Sequence, residues 1–575
     1  MPVNAVPMLR FADFLYLAPE IVLTAWGLIV LMVDFGPMRR SPGPRRRMVL
    51  GWLTLAGAVL TLATVLIDVP GWRPSESEVA DPVLFFNTIA GDRATFWMNL
   101  LVALLLAVVV GVSMAWEFTE HWGEYYALLC WAAVAMMLLV ASEELLTLFL
   151  TLETMTLCLY VATAFEKARR RSAEGGLKYF VYGSVSSALF LFGLSLIYGL
   201  TGSTRLEAIH FALSGPNATV PVGLAGNVAG AMAVLLVLVG FGFKIAAVPF
   251  HQWAPDAYEG APAPVTAWIA SGSKVASFVA LLKVLVFALG PWARKTEIIS
   301  PGWIGIVAAI AAVSMTFGNF AALAQRNFKR MLAYSSIAHS GYILVGVLAA
   351  SVSTRHDAAA GSVLFYLVIY SVTTVGAFAL AAWLARDLGR DDIDDLNGLG
   401  YRSPGLAACI VVLMLSLIGM PPLAGFFGKL YMFMEALRAP EVSRLTLLGL
   451  VALGLLNSVV SAFYYVRVLK AMFLRPPGER AVAAAPAGIY WPIVLATGVA
   501  VVFGLYPAPL LDQMKLAAAP MLQPSMVSAA STTGQAVPPS TLPAPHGEGA
   551  GEPSEATRPA VSPPPSPSER SASGL

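Results

Sequence analysis

A chain of 575 residues that is 58% hydrophobic and only 12% charged, with a mean hydropathy of +0.73, lies far from the roughly 25% charged composition of soluble domains and reads as a polytopic membrane protein. Its net charge of +2 gives no electrostatic basis for a nucleic-acid partner. The three cysteines, Cys130, Cys158 and Cys409, sit in apolar runs and form neither a CxxC pair nor a Cys/His cluster, which argues against disulfides, zinc and iron–sulfur ligation.

Apolar stretches of about 17 to 25 residues are long enough to cross a bilayer. Counting them predicts an all-α protein of about fourteen transmembrane helices, starting near residues 16, 48, 94, 125, 144, 178, 226, 264, 302, 331, 362, 405, 445 and 490. The first stretch contains Glu20 and Asp34 and is not followed by a small-residue cleavage site, so it is expected to be a retained helix rather than a signal peptide. Arginine and lysine collect in alternate connections: Arg39, Arg40 and Arg45 to Arg47, then Lys167 and Arg169 to Arg171, then Arg326, Lys329 and Arg330, then Arg475 and Arg480. Cytoplasmic loops collect such residues, so both termini are expected on the periplasmic side. The loop "EFTEHWGEYY" after helix three is acidic although it falls on the cytoplasmic side. Beyond about residue 512 the apolar pattern stops, and "PPSTLPAPHGEGAGEPSEATRPAVSPPPSPSERSASGL" has almost nothing to bury, so 512–575 is expected to be a disordered tail.

A charge at the bilayer centre costs about 2.5 to 3.5 kcal/mol even on the lenient insertion scale and usually marks an ion path. Four residues meet that description: Glu153 in helix five, Lys244 in helix seven, Lys274 in helix eight and Lys429 in helix twelve. The bland alternative for each is snorkelling to an interface or a static ion pair. Lys283, nearer the end of helix eight where its long stem could snorkel, serves as a control and is left off this set. In helix ten, "MLAYSSIAHSGYILVG" spaces Ser335 and His339, and Ser336 and Ser340, four residues apart, which gives a polar stripe centred on a histidine able to carry protons near neutral pH. Ser271 and Ser277 flank Lys274 at three-residue spacing, and helix thirteen offers Asn457, Ser461 and Tyr465 at four-residue steps.

Pro249 follows Lys244 by five positions, and Pro421 with Pro422 precedes Lys429. A proline inside a helix removes a backbone bond and breaks or kinks it. Open backbone at membrane depth is tolerated only inside protein or along a wet cavity, and broken helices with charged residues mark transporters built from inverted repeats. Helices seven and twelve are five apart, so two inverted five-helix repeats are expected, helices four to eight (125–290) and nine to thirteen (291–475). They follow three N-terminal helices (1–124) and precede helix fourteen (476–511).

The stretches "FGFKIAAVPFHQWAPDAYEGAPAPVTAWIASGSKVASF", "NFKRMLAYSSIAHSGYI", "DDLNGLGYRSP" and "SLIGMPPLAGFFGKLYMF" resemble the antiporter-like membrane subunits of bacterial proton-pumping NADH:quinone oxidoreductase, respiratory complex I, and among them subunit N. The similarity runs from about residue 10 to 511. Lysine at 274 rather than histidine and "DDLNGLGYRSP" point to N over L or M; lysine at 429 separates it from M. The resemblance implies a proton-translocating subunit of an inner-membrane complex in which Glu153 pairs with Lys244. When the pair separates, Lys244 passes its proton to Lys274, through the His339 region to Lys429 and out. It also implies K-like and M-like membrane neighbours, and that NADH, FMN, iron–sulfur clusters and quinone, ubiquinone among the candidates, sit on partner subunits, in keeping with the lack of a dinucleotide fingerprint, P-loop or cysteine cluster in this sequence. A subunit of a multi-subunit sodium/proton antiporter is the alternative, and a membrane scaffold with fixed ion pairs the third reading.

Overall fold

The computed structural model describes residues 11–67, 83–85, 88–214, 228–293, 302–476 and 484–522. Among the described residues, twelve unbroken helices are long and apolar enough to span a membrane. They are α1 Ala18–Phe35, α2 Gly43–Leu66, α3 Arg93–Met114, α4 Trp122–Ala141, α5 Leu145–Thr163, α6 Arg170–Thr201, α8 Ala263–Ala288, α9 Ile304–Leu323, α10 Phe328–Val352, α11 His356–Leu388, α13 Glu441–Leu474 and α14 Ala487–Leu505. Two more spans are interrupted, α7 as halves α7a Val228–Lys244 and α7b Trp253–Gly260, and α12 as α12a Pro404–Ile418 and α12b Ala424–Leu437. The total is the expected fourteen. A two-residue hairpin, Val83–Leu84 with Ile89–Ala90, precedes α3.

Local chemistry sets many of the boundaries. Asp92, Glu144 and Asn327 cap α3, α5 and α10 by accepting from the backbone N–H groups of Thr95, Thr147 and Arg330, supplying acceptors that the first turn of a helix otherwise lacks. Prolines in the first turn open α2, α8 and α12a, where the missing N–H is of no consequence. Gly419, which closes α12a at φ 91°, takes the left-handed conformation that a side chain disfavours.

Five crossings separate each helix of α4–α8 from its counterpart in α9–α13. Because five is odd, counterparts run in opposite directions, which is the inverted relation expected from the proline positions, with the break in fourth place of each set. Every residue in the apolar windows of α8 and α10 is buried, while α6 and α13 carry exposed Leu177, Phe180, Val185 and Phe192, and Leu445, Leu455, Leu456 and Phe463. The core therefore runs through α8, α10 and α11, and α6 and α13 form apolar flanks.

Two expectations need correction. Lys283 does not snorkel: its side chain is fully buried and its Nζ donates to Glu143 Oε1 at 2.6 Å, because a helix buried on every side offers no route to an interface. The ordered chain also passes residue 511, since α15, Ala508–Met521, occupies the start of the expected tail. Its buried Leu510, Leu511, Met514, Ala517, Ala518 and Met521 repeat at helical spacing and pack on α3 and α11. The rest of the tail lies outside the described residues. The acidic loop after α3 has a plain local reason: Glu117 pairs with Arg47 of the arginine-rich first connection at 3.5 Å.

Candidate functional site

α7a ends at Lys244, and the chain turns through Ala246, held at φ 55°, and Pro249 before α7b resumes at Trp253. A left-handed alanine costs roughly 1–2 kcal/mol and is retained here inside the core, where Ile245, Ala246 and Ala247 are all buried. Lys244 is buried, and its Nζ donates to Glu153 Oε1 of α5 at 3.3 Å and to Thr156 Oγ1 at 3.1 Å. Ser187 of α6 donates to the same Glu153 oxygen at 2.5 Å. Glu153 keeps 21% of its side chain accessible, so the pair sits at the edge of the bundle between α5 and α6.

Lys274 lies where α8 changes from π-helical turns, Ile269–Ser273, back to α-helix. Such π segments collect at functional sites. The Lys274 Nζ donates to Ser336 O at 2.5 Å, Ser336 Oγ at 2.6 Å and Ser340 Oγ at 2.8 Å. Ser340 Oγ in turn donates to the carbonyl of Ile245 at 2.6 Å, next to Lys244. The partners of Lys274 thus come from α10 and not from its own helix: Ser271 bonds back to Ala267 O.

His339 stands among four tyrosines. Its Nδ1 lies 2.5 Å from the Tyr366 hydroxyl and its Nε2 3.5 Å from that of Tyr465. Its ring centre is 4.9 Å from that of Tyr370 and 5.7 Å from that of Tyr342. Tyr370 donates to Ser336 Oγ at 3.0 Å, and the Lys429 Nζ sits 4.7 Å above the Tyr342 ring. Ser335 is hydrogen-bonded to Tyr465, and Asn457 contacts Asn319 and Thr316.

The second break differs in detail. Lys429 follows it, in α12b, and donates to Leu417 O at 3.2 Å and Ile418 O at 2.9 Å. These are carbonyls at the end of α12a, a helix terminus that leaves acceptors unsatisfied and carries a partial negative charge. Pro421 and Pro422 keep the intervening turn out of helical bonding. A cation at each break therefore has a distinct electrostatic partner: a carboxylate for Lys244, helix-end carbonyls for Lys429.

The family described as NADH:quinone oxidoreductase/Mrp antiporter, TM, matches residues 142–455, the segment that holds every residue named above from Glu153 to Lys429. This chain belongs to that family. It is 41% identical over 471 residues to NADH-quinone oxidoreductase subunit N 2 of Acidobacterium capsulatum, covering 80% of this chain and 90% of that protein. It is also 36% identical over 526 residues to F(420)H(2) dehydrogenase subunit N of Methanosarcina mazei, covering 89% and 99%. Among solved structures, a chain of respiratory complex I from Thermus thermophilus with bound aureothin superposes with a TM-score of 0.68 at 32% identity, covering 87% of this chain and all of that one. The two relatives carry the names of subunits of different dehydrogenases.

The sequence singled out Glu153, Lys244, Lys274, His339 and Lys429, all of which lie in or beside this buried cluster, but not Tyr342, Tyr366 and Tyr370. A signal existed: Tyr366 and Tyr370 are four residues apart in a span and so share a helix face, and Tyr342 is three after His339, on the face already marked by that histidine. It also missed the ion cluster that anchors α7b, in which Lys178 and Arg330 meet Asp256 at 2.7 and 2.6 Å and Arg171 and Arg330 meet Glu259, both at 2.9 Å.

Proposed function

We propose that this chain moves protons across a bacterial inner membrane as the N-type membrane subunit of an NADH:quinone oxidoreductase, with Glu153, Lys244, Lys274, His339 and Lys429 as its proton path. The observation that carries the reading is a buried series of polar and aromatic side chains in contact from one break to the other. Hydrogen bonds join Glu153 to Lys244 and run from Ile245 O, next to Lys244, through Ser340, Lys274 and Ser336 to Tyr370, and ring contacts of His339 with Tyr370 and Tyr342 lead on to the Lys429 Nζ above the Tyr342 ring. Lysine, histidine, serine and tyrosine side chains each can give or take a proton or orient a water that does.

Glu153 stabilises the charged form of Lys244 while the two are within 3.3 Å. Drawing Glu153 away removes that stabilisation and leaves a cation in low dielectric, which favours transfer of its proton toward Lys274. The carbonyls of Leu417 and Ile418 receive the charge at Lys429. Pro249, Pro421 and Pro422 hold open the two turns where backbone rather than helix faces the path. Moving one charge against the membrane potential requires about 2.3 kcal/mol per 100 mV, which comes from quinone reduction in partner subunits. NADH, FMN, the iron–sulfur clusters and quinone belong to those partners, K-like and M-like membrane subunits adjoin this one, and both termini face the periplasm, as the arginine-rich connections indicate. The sodium/proton antiporter alternative is not favoured, since the relatives carry the names of dehydrogenase subunits.

The test is Lys244→Ala in the assembled complex, with NADH:quinone turnover and proton uptake by inverted vesicles measured on one preparation and assembly checked on a native gel. Uptake is expected to fall by about a hundredfold, the usual scale for losing a proton-transferring side chain. Full uptake at full turnover would make Lys244 a structural charge and sink the path.

A further inference from the structure

The arginines of the first connection divide into two groups. Arg46 and Arg47 turn inward to Asp34 and Glu117. Arg39, Arg40 and Arg45 stay exposed, and among the described residues no carboxylate pairs with any of them. Arg45 also heads a stripe on α2. Met48, Trp52, Val59 and Leu66 follow it at steps of three, four, seven and seven residues, which places all five on one helix face. The four apolar members are exposed, Trp52 by 59%, so nothing else in the chain covers that face. Met32, 71% exposed, and Phe35 continue the apolar surface at the adjoining end of α1, which packs along α2.

We propose that the α1–α2 corner binds an anionic phospholipid, its headgroup held by Arg39, Arg40 and Arg45 and an acyl chain laid along the α2 stripe. Guanidinium groups meet phosphate oxygens in a two-pronged fork, and basic clusters at the membrane end of a spanning helix attract anionic headgroups. From Arg45 to Leu66 α2 rises about 30 Å, the thickness of the hydrocarbon core. Its first half therefore matches one leaflet, with Arg45 at headgroup depth. Trp52, two turns further in, stands near the interface where indole rings collect. Charge complementarity decides the occupant. A protein covering this corner would have to bring a carboxylate to each arginine, because an unpaired charge buried in an apolar contact is costly. An anionic phospholipid supplies the negative charge and the apolar chain in one molecule, and a zwitterionic one lacks the net charge. This contact is separate from the proton path and holds whether or not Lys244 carries protons.

The experiment is photolabelling of the intact complex in phosphatidylcholine vesicles that contain a trace of phosphatidylglycerol or phosphatidylcholine, each carrying the same diazirine acyl chain. Adducts are mapped by mass spectrometry of peptides. In wild type, phosphatidylglycerol is expected to label the segment Met32–Leu66 about fivefold or more above phosphatidylcholine, the scale of a single arginine's attraction to an anionic headgroup. Arg39→Gln, Arg40→Gln and Arg45→Gln combined, with assembly checked on a native gel, are expected to bring the two labels level. The wild-type ratio decides the matter alone should the triple variant not assemble. Equal labelling by the two lipids in wild type, or an unchanged ratio in the assembled variant, would overturn the proposal. So would the absence of both labels, which would mean that a neighbouring subunit covers the corner.

Discussion

Lys244 and Lys283 are both buried lysines paired with a glutamate, and their surroundings separate their roles. Lys244 has Thr156 beside it, and Ser340 reaches the next carbonyl in its chain, so a neighbouring acceptor stands ready. Lys283 and Glu143 form a close pair at 2.6 Å with the lysine fully enclosed. Removing one partner of a buried pair costs about 3–5 kcal/mol because it strands the other charge. Lys283→Ala is therefore expected to deplete the assembled complex on a native gel, with whatever assembles still coupling turnover to uptake; normal assembly with loss of uptake would move Lys283 onto the path. Tyr366→Phe makes the converse case. It deletes the hydroxyl 2.5 Å from His339 Nδ1 while keeping the ring, so assembly should be normal and proton uptake should fall toward the ~10² lost with a proton-transferring group. Unchanged uptake would take Tyr366 out of the path.

At the scale of single elements, caps and breaks decide how the path is held. α5, which carries Glu153, begins at Glu144, whose carboxylate accepts from Thr147 N at 2.9 Å and Thr147 Oγ1 at 2.8 Å. Burial alone would raise the Glu144 carboxyl, and the bonds from Thr204 and Thr147 outweigh it and hold it below its ordinary value. A depressed carboxyl contributes stability that is fully present above its unfolded value, about 4.3, and is lost as pH falls through the folded value. Glu144→Ala should then cost about 1 kcal/mol, read as faster hydrogen exchange in the first turn of α5. The gap to wild type should stay constant from pH 8 to 5 and close below about pH 4. A gap that instead widens on acidification would contradict the cap. The halves of α7 and α12 show a related principle: Lys429 supplies donors to the carbonyls that ending α12a leaves bare, so the break is held by the residue it positions.

For the whole molecule, the buried axis of α8, α10 and α11 is flanked by the apolar sides of α6 and α13, and α15 closes the α3 and α11 surfaces. The sequence beyond residue 522 is rich in Pro, Ser, Gly and Ala with little to bury, so a complex truncated after residue 522 is expected to assemble and take up protons at the wild-type rate in vesicles. Truncation after residue 507 uncovers the surfaces that Leu510, Met514 and Ala518 bury, and is expected to reduce the assembled complex severalfold on a native gel. Equal assembly of the two truncations would show that α15 contributes no packing energy that matters.

Hydrophobic length, the prolines and the charge-poor background were enough to find fourteen spans, the two breaks and the five residues proposed for the path, because each follows from the bilayer as solvent: apolar runs of fixed length, costly charges and prolines that cannot continue a helix. What the chain order could not give is which side chains meet. Lys274 finds Ser336 and Ser340 sixty-two and sixty-six residues away, the tyrosines around His339 arrive from α10, α11 and α13, and Lys283 is enclosed only because α8 has neighbours on every side. Helical periodicity orients a residue on its own helix and is silent about the helix opposite. The packing of α8, α10 and α11 against one another turned a set of separated charges into a connected series.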